Sequence, residues 1–105
     1  GTKMGIPEIV EIWIRSLHSV FESIGVEVLY VRSPPERINS SFALNLRRGP
    51  VEADLLVWES GHADLSTMAS NGSISQKHFE DLRNVKAIAE VLAVLGELLH
   101  APKHN

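Results

Sequence analysis

Cysteine is absent from this chain of 105 residues, so neither a disulfide framework nor a thiolate zinc site is open to it. A reducing compartment suits that composition, and a cytoplasmic location is expected. Long apolar runs are missing too. Nothing approaches the ~20 residues that a membrane helix needs, and no signal-like apolar segment stands near the start. A basic excess is also lacking: 10 Lys and Arg face 13 Asp and Glu, and the net charge is -3 with the five histidines neutral and scattered. Without a cationic stripe the chain has no electrostatic footprint for a phosphate backbone. Nucleic acid and membrane are therefore not expected as ligands, and a neutral or basic protein partner is favoured. Dense signatures such as HExxH or GxSxG do not occur either.

What the chain does contain is a globular composition, with 44% hydrophobic and 22% charged residues. At this length one core buries roughly two thirds of the unfolded surface, leaving no room for a second. Residues 4–100 are read as a single domain. Gly1-Thr2-Lys3 is expected to be an appended scar, and Ala101 to Asn105 a frayed tail.

From Ile6 the apolar residues Ile9, Val10, Trp13, Leu17, Val20, Phe21 and Ile24 follow the three-and-four spacing of one helical face. Pro7 suits the first turn, Glu8 and Glu11 lie near the positive end, and Gly25 supplies a left-handed stop. Trp13 and Phe21 are assigned to the core, since helical spacing makes packing a simpler account than a ligand box. Val26 to Arg32 is rich in β-branched residues and reads as a strand; Ser33-Pro34-Pro35-Glu36-Arg37 is then loop. Ser41 to Leu46 alternates with Phe42, Leu44 and Leu46 on one side. A four-residue loop, Arg47-Arg48-Gly49-Pro50, would set Leu46 opposite Val51, Leu44 opposite Ala53 and Phe42 opposite Leu55.

Val51 to Trp58 turns Val51, Ala53, Leu55 and Val57 inward and Glu52, Asp54, Leu56 and Trp58 outward. A two-residue turn at Ser60-Gly61 would bring Asp64 into the core at high cost. A three-residue Glu59-Ser60-Gly61 loop with Gly61 left-handed pairs Val57 with Ala63 and Leu55 with Leu65, and is preferred. Ser70-Asn71-Gly72 is a strong turn signal. The following Ser73 to Glu80 reads as a fifth strand with Phe79 inward opposite Ala63 and His78 outward opposite Asp64; a last helix starting near Ser75 competes with it. Leu82, Val85, Ile88, Ala89, Leu92, Leu95 and Leu99 form another helical face, with Asp81 or Asn84 as N-cap, Gly96 allowing close packing and Pro102 marking the end. The sum is an α+β two-layer sandwich: N-terminal helix, antiparallel sheet of four or five strands, C-terminal helix, with both helices on the same sheet face.

The outer face then carries whatever chemistry the chain has. His62, Asp64 and His78 would converge there, and such ligands suit zinc or iron, yet the same residues also make an ordinary exposed cross-strand pair; no metal or cofactor is expected. Ser60, His62 and Asp64 have the residue types of a nucleophilic triad but sit at an open hairpin tip without a cavity, so the chain is not expected to be an enzyme. An apolar centre of Leu56, Trp58, Met68 and Ile74 inside an acidic rim has the composition of a partner site. Glu52, Asp54, Leu56, Trp58, Glu59, His62, Asp64 and His78 are accordingly read as partner-binding, with Trp58 as anchor. Two alternatives stay open. Trp58 could lie under a loop such as Ser33 to Ser40, and the face could serve a homodimeric regulatory or scaffold domain.

Val57-Trp58-Glu59-Ser60-Gly61-His62-Ala63-Asp64-Leu65 resembles the strand-turn-strand VWESG segment of small bacterial immunity proteins of the TriTu type, which neutralise ADP-ribosyltransferase toxins of polymorphic (Rhs) systems. The likeness is specific over about nine residues, and the order of elements is similar. It implies a non-catalytic inhibitor that binds a cognate toxin and blocks its active-site cleft, for which an acidic rim would suit a basic toxin surface.

Overall fold

In the computed structural model, residues 5–34, 38–83, 86, 89–91, 93, 95 and 96 are described. Helix α1 spans Ile6–Ser23 and starts after Gly5, whose carbonyl accepts the Ile9 N–H at 3.1 Å. Pro7 lies in the first turn, where its missing N–H costs nothing. At the other end Gly25 adopts φ +85°, Gly25 N–H bonds Glu22 O and Val26 N–H bonds Phe21 O, the paired bonds of a Schellman stop. The buried stripe differs from the expected one. Ile14, which is not in the expected face, is fully buried, whereas Ile9 and Val20 are about half exposed (48% and 53%). Val10, Trp13 and Phe21 flank Ile14 against the core, with Trp13 and Phe21 edge-to-face at 6.2 Å.

Five strands follow: β1 (Glu27–Arg32), β2 (Ser41–Arg48), β3 (Val51–Trp58), β4 (Ala63–Met68) and β5 (Ile74–Phe79). They form one antiparallel meander in the order β1-β2-β3-β4-β5. Alternation puts Val28, Phe42, Leu44, Leu46, Ala53, Leu55, Val57, Ala63, Leu65 and Phe79 into one core with Ile6 and Ile14 of α1. Lys86, Ala89, Glu90, Val91, Ala93, Leu95 and Gly96 have helical backbone, and Val91 and Leu95 enter the same core. An apolar recess lined by Ile6, Val10, Trp13, Leu55, Leu82 and Val91 shows the C-terminal helix beside α1 on the same face of the sheet. Ion pairs tie the layers at their margins: Arg32 of β1 reaches Glu8 and Glu11 of α1, each at 3.3 Å, and Lys77 of β5 pairs with Glu90. The expected α+β sandwich is therefore the fold, and Ser73 to Glu80 contributes a strand rather than the start of the last helix.

The turns decide the registers. At Glu59-Ser60-Gly61, Trp58 N–H bonds His62 O and Gly61 N–H bonds Trp58 O, both at 2.9 Å, with Gly61 at φ +100°; Val57 faces Ala63 and Leu55 faces Leu65. Ser70-Asn71-Gly72 repeats the arrangement through Ala69 and Ser73, with Gly72 at φ +87°. Phe79 stands opposite Ala63 and His78 opposite Asp64, as expected. The β2–β3 register is a correction. Arg48 faces Val51, Leu46 faces Ala53, Leu44 faces Leu55 and Phe42 faces Val57, two residues away from the pairing that a four-residue loop implies. Only Gly49 and Pro50 form the turn. Gly49 has φ +59° and Pro50 carries the fixed proline φ near -65°, the requirements of a type II′ hairpin. A shift of two leaves every side chain on its own face, so alternation could not separate the two registers.

Gly96 needs a second correction, because a Cβ there would meet nothing within 4 Å among the described residues, and close packing does not explain it. Asp81 Oδ1 accepts the Arg83 N–H at 3.0 Å, the kind of bond that an N-cap side chain makes to the residue two positions on. Asn84 as N-cap, Pro35 to Arg37, Gly1 to Lys3 and the tail from Ala101 lie outside the described residues.

Candidate functional site

Both helices cover one sheet face, and among the described residues no further element covers the other. Its side chains run in rows across the strands, set by the ladder. Val31, Ala43, Leu56, Asp64 and His78 form one row, and Leu29, Asn45, Asp54, Ser66 and Gln76 the next. Together these ten residues line a trough of 640 Å³, the concavity that a right-handed sheet twist gives to an uncovered face. The trough is two-sided. Leu29, Val31, Ala43 and Leu56 make its wall toward β1, while Asp54, Asp64, Ser66, Gln76 and His78 make its wall toward β5. Leu29 and Val31 are 66% and 70% exposed.

The expected site residues do not all meet. Leu56, Asp54, Asp64 and His78 are in the trough. Trp58 is on the same face, half-buried, opposite Ser41 at the end of β3. Met68 pairs with Glu52 on one side and with Ile74 on the other at the far end, about 20 Å along β3 from Trp58 by the strand rise, so they share no apolar patch with it. Leu29 and Val31 take their place. Their alternation with Val28 and Tyr30 was visible in the sequence, but a β-branched run is also what a strand buried on both faces shows, and only the layer arrangement tells the two apart.

The acidic rim is partly satisfied from within. Asn45 Nδ2 donates to both Glu52 Oε2 and Asp54 Oδ1 at 2.7 Å, and Arg47 reaches Glu52 at 3.3 Å. The Asn45 bond first, and then Arg47, hold the Glu52 carboxyl below its ordinary value. Glu59 Oε2 accepts the Ser40 N–H at 3.2 Å, while Glu59 N–H donates to Ser40 O and Ser60 N–H to Asn39 Oδ1, both at 2.9 Å. The loop before β2 is thereby latched to the Trp58 turn. Asn39 supports this with φ +55°, a left-handed conformation that asparagine tolerates. Nothing in the alternation pattern pointed to Asn39 or Ser40, because the contact spans some twenty residues of chain.

At the trough's end His62, His78 and Glu80 gather, with one candidate ligand atom from each lying within 4.8 Å of the others. Asp64 is not a direct member. Its Oδ1 bonds His78 Nδ1 at 2.7 Å, and Ser60 Oγ bonds His62 Nδ1 at 2.8 Å. The third group is Glu80, 3.8 Å from His62 Nε2, a residue the sequence reading left as the end of a strand. Ser60 with His62 does form a hydroxyl–imidazole pair. An acyl-transfer site also needs free donors for an oxyanion, and here Glu59, Ser60, Gly61 and His62 have all committed their N–H groups to Ser40 O, Asn39 Oδ1, Trp58 O and, at 3.5 Å, Ser60 Oγ. The geometry serves the turn instead.

Among the described residues no helix is long and apolar enough to cross a membrane. Set beside known proteins, the chain matches no protein-family model, no curated protein and no solved structure.

Proposed function

We propose that this domain is a non-catalytic binding module that takes a partner protein onto its open sheet face, and that the partner is a bacterial toxin which it blocks. The observation that carries the first half is the trough. An apolar wall with Leu29 and Val31 two thirds exposed faces a wall carrying Asp54 and Asp64, on the one sheet face that neither helix covers. Exposed apolar surface of this kind marks an interaction site, and the acids favour a partner segment with apolar and cationic side chains. The toxin assignment is supported by the likeness of Val57 to Leu65 to the VWESG segment of TriTu-type immunity proteins, and an ADP-ribosyltransferase is the toxin class which that likeness suggests.

The test is co-expression with the toxin-like product of a neighbouring gene. Rescue of growth and co-purification are expected. Trp58→Ala and Val31→Asp should each lower affinity by about tenfold or more while the circular dichroism spectrum is unchanged, as for an interface anchor outside the core. Absence of rescue by the unaltered protein removes the toxin assignment, and unfolding of Trp58→Ala would place that residue in the core.

A second reading rests on a specific feature. β1 is an edge strand, and its Leu29 and Val31 are the most exposed apolar residues on this sheet face apart from Ile74. Two copies pairing β1 edge to edge would continue the sheet and bury these side chains together. Light scattering on the isolated chain separates the readings: a stable dimer supports the second, a monomer excludes it.

A further inference from the structure

Beyond partner binding, the geometry points to a divalent transition-metal site on the β4–β5 hairpin, held by the Nε2 atoms of His62 and His78 and the carboxylate of Glu80. The ladder makes the juxtaposition. Asp64 faces His78, and just beyond the last paired residues, Ala63 and Phe79, His62 Nε2 stands 3.8 Å from Glu80 Oε2, so four outward side chains gather at the hairpin's end. The imidazole rings lie 5.8 Å apart and 30° from parallel.

Each Nδ1 already has a partner, Ser60 Oγ for His62 and Asp64 Oδ1 for His78, and this leaves both Nε2 lone pairs for a cation. A carboxylate or hydroxyl behind a ligating imidazole fixes the tautomer and raises its basicity. In a tetrahedral site with bonds near 2.0–2.2 Å the ligand atoms stand about 3.3 Å apart. One ligand atom from each residue already lies within 4.8 Å of the others, and His62 Nε2 is 3.8 Å from Glu80 Oε2, so side-chain rotations have about an ångström to close.

Two nitrogens and one oxygen select borderline ions, Zn²⁺, Ni²⁺ or Cu²⁺, over Mg²⁺ and Ca²⁺, which prefer oxygen alone. The side chains are 47%, 50% and 87% exposed, so water fills the remaining positions in the isolated chain. A bound ion would rivet β5, an edge strand whose residues are exposed except Phe79, to β4.

The experiment is calorimetric and thermal-shift titration of the full chain with Zn²⁺ near neutral pH. One saturable equivalent is expected, together with slower amide exchange in β5. It should be lost in His62→Ala and in His78→Ala, weakened in Glu80→Gln, and weakened about 10- to 100-fold in Asp64→Ala, which removes only the group behind His78. Mg²⁺ should not compete, and His100→Ala with His104→Ala should leave the equivalent in place. Val31→Asp should leave it too, so failure of the partner reading would not be mistaken for failure of this one. No Zn²⁺-dependent shift in the unaltered chain overturns the assignment. So does a shift that survives His62→Ala with His78→Ala, or one that disappears with His100 and His104.

Discussion

Gly61 is enclosed on several sides. It is buried at φ +100°, its carbonyl accepts the Leu82 N–H, and a Cβ would stand 2.7 Å from Asp81 Oδ1 and 3.3 Å from Arg83 Nε. Gly61→Ala is therefore expected to cost about 1–3 kcal/mol from backbone strain, with the contact to Asp81 adding to it. Chemical denaturation would check this, and a loss of under half a kilocalorie would show that the turn can relax. Glu52 gives a pH prediction. Its folded value lies below the ordinary one, so its contribution is present at neutral pH and above the unfolded value, and is lost as pH falls through the folded value. The melting-temperature gap between the unaltered chain and Glu52→Gln should accordingly narrow on acidification through the carboxylate range. A gap that widened would contradict the bonds from Asn45 and Arg47.

The elements show how much a pattern can specify. The spacing of α1 predicted a helix, its stop at Gly25 and the core side of Trp13 and Phe21, yet it included Ile9 and Val20 and not Ile14, while the sheet selects Ile6, Val10, Ile14 and Phe21. Apolar residues on nearly every side of α1 make the stripe ambiguous until a partner layer chooses one. Ile14→Ala is expected to destabilise by about 2–5 kcal/mol, as for a buried aliphatic truncation, whereas Ile9→Ala should stay near 1 kcal/mol or below. Urea midpoints with a common slope would decide, and equal losses would show that Ile9 is core as well. The hairpins carry a related lesson. Asp64 would have been driven into the core by a one-residue slip, so the Glu59-Ser60-Gly61 turn was legible. The β2–β3 slip was of two residues, and only the dihedral demands of Gly49-Pro50 resolved it.

For the whole molecule, the consequential fact is that both helices pack on one side of a five-stranded sheet. Leu29 and Val31, which look like core residues in a β-branched run, are thereby left facing water. Replacing both with Ser should change stability by no more than about 0.5 kcal/mol each, the range of surface substitutions. The same pair of changes should abolish binding of a partner that uses the trough. A loss of several kcal/mol without a partner present would mean that the face is covered within the chain itself.

The sequence by itself determined the elements, the α+β class, the inward and outward sides of β2 to β5, and the turns at Gly61 and Gly72, because period, turn chemistry and the cost of a buried carboxylate act locally. The tertiary structure decided what those sides face. It separated Trp58 from Met68 and Ile74, brought Leu29 and Val31 to the face of Leu56, engaged Glu59 with Ser40, and set Glu80 beside His62 and His78. Each depends on strand order and register across long stretches of chain, where alternation is silent to a shift of two and blind to which layer lies opposite.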